Sequence, residues 1–233
     1  MNDIFVIGDI HGSYDKFRTL MKHWNPDKQQ LVILGDLIDR GPDSLPVVRR
    51  CMELKIEYGA KILGGNHEWN LFDFIDKPNV YAKYYLEKGG RNTLQSFLGI
   101  KDSAIHKSPE KMASLMKERF FNELNFLRNL PDYYEHQHYV FVHAGVNLYL
   151  KDWKHTNQSD FRWIREPFYE AKNETGKIFV FGHTPTCYLN PDGSCGVWVS
   201  PCQTKFGIDG GAVFGGYLLG LSIQKDGYEV YAA

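Results

Sequence analysis

Residues 31–41 read Leu31-Val32-Ile33-Leu34-Gly35-Asp36-Leu37-Ile38-Asp39-Arg40-Gly41. An apolar run stops at a glycine, and two acids and an arginine follow at once. A continuous run of this kind predicts a strand buried on both faces of a parallel sheet. The polar residues then lie at its carboxyl end, where open α/β sheets place ligands. Acids and a guanidinium crowded together there are completed by a bound cation and a bound anion. Taken alone, the same residues read equally well as a polar turn that caps the next helix, so the neighbouring stretches decide.

Upstream, residues 4–7 form a second apolar run, ended by Gly8 and followed by Asp9-Ile10-His11-Gly12. Ser13 is the expected cap of the next helix, with Asp15 favouring its dipole. Phe17, Leu20, Met21 and Trp24 recur at helical spacing until Asn25-Pro26-Asp27 ends the segment. Downstream, Asp43-Ser44-Leu45-Pro46 opens a helix carrying Val47, Val48, Cys51, Met52 and Leu54. Lys61-Ile62-Leu63 then forms a third strand, followed by Gly64-Gly65-Asn66-His67-Glu68. The order is a β-α-β-α-β unit with parallel strands. Its three strands end in Asp-x-His, Asp-x-x-Asp-Arg and Asn-His-Glu, which brings oxygen and imidazole ligands to one sheet edge.

Between about 69 and 135 the texture turns helical, with Ser108-Pro109-Glu110 a capped helix start. Met112, Leu115, Met116 and Phe120 give that helix an apolar stripe, read as core, and the whole region reads as a helical insertion. Strands return at 139–142 and 178–181, each leaving a histidine at its exit, His143 and His183. The glycine-separated runs after them (196–199, 206–208, 217–223 and 228–231) read as hairpin-connected strands. The economical architecture is an α/β sandwich: a second, partly antiparallel sheet packed on the first, with helices flanking both.

At 233 residues the chain fits one domain with an inserted segment. Its net charge of −1 argues against a nucleic-acid or membrane surface as partner. No apolar run approaches the ~20 residues needed to span a bilayer. A signal-peptide pattern is lacking at the N-terminus, so a cytoplasmic location is expected. Cys51, Cys187, Cys195 and Cys202 form no C-x-x-C pair. Free thiols are the expectation, with a soft-metal site at the last three the lesser alternative.

The strand exits thus carry Asp9, His11, Asp36, Asn66, His143 and His183. Carboxylates, imidazoles and an amide oxygen without thiolates suit Mn²⁺, Fe²⁺ or Zn²⁺ in a reactive site rather than a structural zinc. Six ligands serve two divalent metals if one carboxylate bridges them, and Asp36, in the middle of the set, is the natural bridge. Such metal pairs lie about 3.5–4 Å apart, bind both oxygens of an in-line displacement and generate hydroxide near neutral pH.

The set GDIHG (8–12), GDLIDRG (35–41), GNHE (65–68), HAG (143–145) and FGHTP (181–185) resembles the metal-dependent phosphoprotein phosphatases, a family of metallophosphoesterases. It is most similar to the compact branch that contains the phage lambda protein phosphatase, as are WIRE (163–166) and IDGGAVFGG (208–216). The resemblance implies a metallophosphoesterase sandwich and a phosphomonoesterase acting on phosphoserine or phosphothreonine in proteins, with phosphotyrosine a further candidate. It gives Asp9 and His11 to the first metal, Asp36 to both, and Asn66, His143 and His183 to the second, with Mn²⁺ the expected ion. His67 becomes the general acid, oriented by Asp39, while Arg40 and Arg165 hold phosphate oxygens. Attack is by a metal-bound hydroxide, without a phosphoenzyme. Gly64 and Asp209-Gly210-Gly211 depart from the branch, which often has Arg and Asp-Thr-Gly at these positions.

Two alternatives accompany this reading. Related diadenosine tetraphosphate hydrolases share most of the motifs, which makes a phosphorylated small molecule the other substrate class. Their symmetrical bacterial members typically lack the second aspartate, here Asp39, and carry Asp where this chain has Glu68. A catalytically dead binding module is the third reading, against which stands the full set of ligands, His67 and both arginines.

Overall fold

The computed structural model describes residues 3–100 and 108–233. β1 (Asp3–Ile7), β2 (Gln29–Ile33) and β3 (Lys61–Ile62) pair in parallel, as the β-α-β-α-β reading requires. With β9 (Leu219–Gln224) and β10 (Gly227–Ala232) the first sheet has the order β10-β9-β1-β2-β3, and the second, of β4 (Tyr133–His136), β5 (Tyr139–Val142), β6 (Ile178–Phe181), β7 (Trp198–Val199) and β8 (Lys205–Gly207), has the order β4-β5-β6-β8-β7. In the second, β5, β6 and β8 run parallel, flanked by antiparallel β4 and β7.

Strand periodicity explains the layering. Successive side chains face opposite sides of a strand, so Ile4 and Val6 of β1, Val32 of β2 and Leu34 just beyond it meet Phe141, Val180 and Phe206 between the sheets. Phe5, Ile7, Leu31 and Ile33 face outward into a core shared with the helices. Val140, Val142, Phe179 and Phe181 pack on the outer side of the second sheet with Trp153, Phe161 and Phe168. Both faces of the central strands are therefore buried, which is why they read as unbroken apolar runs.

The C-terminal strands divide between the sheets. β7 and β8 extend the second, whereas the hairpin of β9 (Leu219–Gln224) and β10 (Gly227–Ala232) returns to the first and pairs antiparallel with β1. The first five residues of β9 are buried, and a place beside β1, between layers, is the one that buries both its faces.

α1 (Tyr14–Leu20) and α2 (Ser44–Tyr58) cover the outer face of the first sheet. Ser13 makes no side-chain cap on α1; its backbone carbonyl accepts from Phe17 instead. The inserted region comprises α3 (Asn66–Asp76), α4 (Pro78–Tyr85), a π-turn over Leu86–Gly90, α5 (Arg91–Leu98), α6 (Pro109–Arg119) and α7 (Phe121–Arg128). Strand structure resumes at Tyr133, slightly before the expected boundary. Ser108 caps α6 by accepting from the Lys111 N–H. Met112, Met116 and Phe120 are buried in the same core as β1 and β2, so the insertion is continuous with the domain. The four cysteines are free. Among the described residues no helix is long and apolar enough to cross a membrane.

Candidate metal centre

Every residue expected at a strand exit converges on one buried cluster. Asp9, His11, Asp36, Asp39, Asn66, His67, His143 and His183 are all buried. The turns that carry them are bent hard. His11 (φ 47°), Asp36 (47°), Asp39 (69°), Arg40 (70°) and His183 (63°) all occupy the left-handed region. Only Gln137 and Gln203 do so elsewhere among described non-glycine residues. Such conformations cost on the order of 1–3 kcal/mol each and persist where the surroundings over-determine them. Backbone clearance is part of that support: a Cβ on Gly65 would lie 2.1 Å from Asp36 Oδ1, and one on Gly182 would lie 2.0 Å from Asp9 Oδ1.

The histidines are oriented through their outer nitrogens. His11 Nδ1 donates to the Ile38 carbonyl and His143 Nδ1 to the Leu34 carbonyl, each at 2.9 Å. Their Nε2 atoms then point inward, 3.5 Å from Asp36 Oδ2 and Oδ1 respectively. Asp36 therefore stands between two ligand sets. Nε2 of His143, a lone-pair atom in this tautomer, also faces Asn66 Oδ1 at 3.0 Å, and His183 Nδ1 lies 2.9 Å from that same oxygen. His183 Nε2 is buried with no partner. The ligand atoms of Asp36, His143 and His183 lie within 4.8 Å of one another, as do those of His11, Asp36 and His67. Asp9 is tied to the cluster by the His183 N–H, which donates to both its oxygens at 3.2 and 3.1 Å.

Charge separates the histidines. Burial lowers His11, His143 and His183, keeping them as neutral imidazoles. Burial also raises Asp36, but at the low pH where that carboxyl takes up its proton His143, His67 and His11 are themselves charged, and they outweigh burial and hold it below the usual range. Neutral imidazoles around an ionised carboxylate are the protonation states a metal requires. The carbonyls behind His11 and His143 supply the outer hydrogen bonds typical of metal-ligating histidines. His67 differs. Burial lowers it, yet Asp36 and the bond from its Nδ1 to Asp39 Oδ2 at 2.8 Å prevail and raise it. Asp9 is pushed well up by burial, with Asp209 and then Asp36 adding to the effect. A donor set of lone pairs converging without protons, crowded by acids, fits divalent cations.

Two cations of the protein flank the cluster. Arg40 Nη1 lies 2.6 Å from His11 Nε2, and Arg165 Nη1 donates to Thr184 Oγ1 at 2.8 Å, beside His183.

Several supporting residues carried no legible signal. The insertion holds the Asp39–Arg40 turn: Tyr85 and Thr93 donate to Asp39 Oδ1 at 3.0 and 2.6 Å, and Thr93 Oγ1 accepts from the Asp39 N–H at 2.9 Å. Arg40 N–H donates to the Gly89 carbonyl, and Asn92 Nδ2 donates to the Arg40 carbonyl. Asp209 is buried nearby and pushed up to about 6 by burial. Glu68, pushed up to about 7 by burial, accepts from the N–H groups of Asp36, Leu37 and Gly65 and so fixes the central loop. Its signal was available: a glutamate in the first turn of a helix commonly reaches back to the chain before it.

The family model described as calcineurin-like phosphoesterase matches residues 3–215, and the chain belongs to that family. An asymmetrical bis(5′-nucleosyl)-tetraphosphatase of Bacillus cereus (strain Q1) is 28% identical, over 93% of this chain and 88% of its own. A symmetrical bis(5′-nucleosyl)-tetraphosphatase of Buchnera aphidicola is 36% identical, over 48% of this chain and 42% of its own. A crystal structure of a candidate diadenosine tetraphosphatase superposes with a TM-score of 0.69 at 18% identity, covering 100% of this chain and 94% of that one. A serine/threonine phosphatase of Saccharomyces cerevisiae gives 0.59 at 14% identity, covering 99% and 80%.

Proposed function

We propose, from the premise that the chain is a calcineurin-like phosphoesterase, that it hydrolyses dinucleoside polyphosphates asymmetrically, releasing a nucleoside monophosphate and the longer nucleotide. What carries the reading is the extent of the likeness to the asymmetrical Bacillus enzyme. It runs through 93% of the chain, insertion included, whereas the symmetrical relative matches 48% of it. Asp39, the aspartate that symmetrical members typically lack, points the same way.

Two divalent ions held by Asp9, His11, Asp36, Asn66, His143 and His183, with Mn²⁺ the first to try, supply Lewis acidity on the phosphoryl oxygens and a more acidic water. The remaining chemistry falls to side chains. Arg40 and Arg165 take phosphoryl oxygens and stabilise the charge that builds on them. Water oxygen bonds to the α-phosphorus and gives up a proton to solvent, the bridging P–O bond breaks, and the departing nucleotide keeps the bridging oxygen. His67 presents Nε2 to that oxygen as proton donor while Asp39 holds its Nδ1. The same His67–Asp39 pair also suits an alkoxide leaving group, and it is the observation that favours the second reading, a phosphoserine/phosphothreonine phosphatase.

Product analysis tests the proposal. Metal-loaded protein incubated with diadenosine tetraphosphate should give AMP and ATP on anion exchange. Two ADP overturns the asymmetry, and intact substrate overturns the reading.

A further inference from the structure

We propose that Phe214 is a stacking platform for the nucleobase attached to the attacked phosphate. The turn that carries it is fixed. Gly211 N–H donates to Asp209 Oδ1 at 2.9 Å, Phe214 N–H and Gly216 N–H donate to the Gly211 carbonyl, and Tyr217 N–H donates to the Gly210 carbonyl. Lys16 Nζ clamps the turn from α1, donating to the carbonyls of Ala212 at 2.9 Å and Gly216 at 2.7 Å. Yet the ring at its tip is 66% exposed and joins none of the apolar cores formed by the described residues. A single exposed aromatic is ordinary on a protein surface. The neighbour of this one is not.

The Arg40 guanidinium carbon lies 5.0 Å from the Phe214 ring centroid, and the Nη1 of the same guanidinium lies 2.6 Å from His11 Nε2. One planar group therefore spans from the ligand cluster to the ring. Its backbone is held in place by the insertion, through the Gly89 carbonyl and Asn92. A phosphate taken by Arg40 would have the Phe214 ring beside it, because the guanidinium carbon lies 5.0 Å from the ring centroid, and a ribose would bridge the phosphate to a base stacked there. A nucleotide attacked at its α-phosphorus has a base at that distance; a phosphoserine peptide has no planar π-surface there. An aromatic face accepts any base, so the platform selects nucleotides as a class and ranks purines above pyrimidines by stacking area. The inference deepens the dinucleotide reading and rests on it for the identity of the substrate, but its test does not need turnover.

The test is calorimetric titration of Mn²⁺-loaded protein with AMP and with ribose 5-phosphate, which differ only by the base. Wild type should bind AMP about tenfold more tightly, a modest value for base–aromatic stacking. Phe214→Ala should bring the two within twofold, chiefly by weakening AMP, and Phe214→Trp should keep the tenfold gap. The KM for diadenosine tetraphosphate should rise about tenfold in Phe214→Ala with kcat changed less than threefold. Equal affinities in wild type, or an undiminished gap in Phe214→Ala, overturn the platform. Equal weakening of both ligands overturns it too, because Phe214 would then only prop Arg40. Failure to cleave the dinucleotide, with the AMP gap present in wild type and lost in Phe214→Ala, overturns the substrate reading and leaves the platform standing.

Discussion

Thr93→Val isolates what the helical insertion contributes to the site. The hydroxyl of Thr93 donates to Asp39 Oδ1 at 2.6 Å and accepts from the Asp39 N–H at 2.9 Å, with all partners buried. Valine keeps the branched shape and removes both bonds, together with the 3.0 Å hydrogen bond between the Ser44 and Thr93 hydroxyls. The loss is partly cushioned, because Tyr85 still donates to the same carboxylate oxygen at 3.0 Å and Ser44 Oγ still accepts from the N–H at 3.2 Å. Neither Asp39 group is orphaned, so the expected cost is about 1.5–3 kcal/mol, that of a hydrogen bond to a charged group. For a domain of this size each kcal/mol moves the melting temperature by about 2–4 °C, which gives a drop of roughly 3–12 °C. Activity should fall as well, since Asp39 orients His67 through the 2.8 Å bond to Nδ1. The loss should be greater on an alkyl phosphate than on p-nitrophenyl phosphate, whose leaving group needs less protonation. Thermal melts and kcat on metal-loaded protein measure both, with Thr93→Ser as the variant that keeps the hydroxyl. A Thr93→Val melt within 1 °C of wild type (well inside about 1 kcal/mol), or a Thr93→Ser variant more impaired than Thr93→Val, would refute the reasoning.

Three further outcomes follow from the same geometry. Asp36→Asn removes the charge between the two ligand sets, so metal content by elemental analysis and turnover should fall together; full occupancy with normal turnover contradicts the bridge. His67→Asn should keep its metal and slow alkyl phosphate hydrolysis by about 10²–10⁴-fold, the usual worth of a general acid, and an equal loss on aryl phosphate would count against proton donation. Asp36 and Asp39 raise His67 against burial, so the acid form persists to higher pH and kcat should decline only as pH climbs through that raised value. Asp39→Asn removes one of the raising groups, and the alkaline limb of the kcat–pH profile should move to lower pH; an unmoved limb excludes His67 as its origin.

The fold and the ligand cluster were legible because both are written locally. Each central strand is apolar on both faces, and each ends abruptly where the chain turns into the site, so Asp9, His11, Asp36, Asn66, His143 and His183 stand at visible boundaries. What was not legible depends on contacts distant in sequence. Tyr85 and Thr93 reach Asp39 across 46 and 54 positions, and nothing in a helical stretch marks which of its hydroxyls will meet a particular carboxylate. Asp209 and Phe214 lie in a glycine-rich turn whose value comes from what folds against it. Ser13 makes no side-chain cap, and its backbone (φ −85°, ψ 66°) lies away from the extended conformation from which a cap reaches the first N–H groups. The substrate was the hardest to read: the same ligands, acid and arginines serve monoester and polyphosphate chemistry, and selection lies in the surfaces around them. Likeness over 93% of the chain to an asymmetrical tetraphosphatase is what turns the proposal from phosphoproteins to dinucleotides.

The most direct test of that shift is a comparison of kcat/KM on one preparation of Mn²⁺-loaded protein, with diadenosine tetraphosphate against a panel of phosphoserine and phosphothreonine peptides. The expected result is at least a tenfold preference for the dinucleotide, about 1.4 kcal/mol in transition-state binding. A tenfold preference for any of the phosphopeptides would contradict it and return the site to protein dephosphorylation.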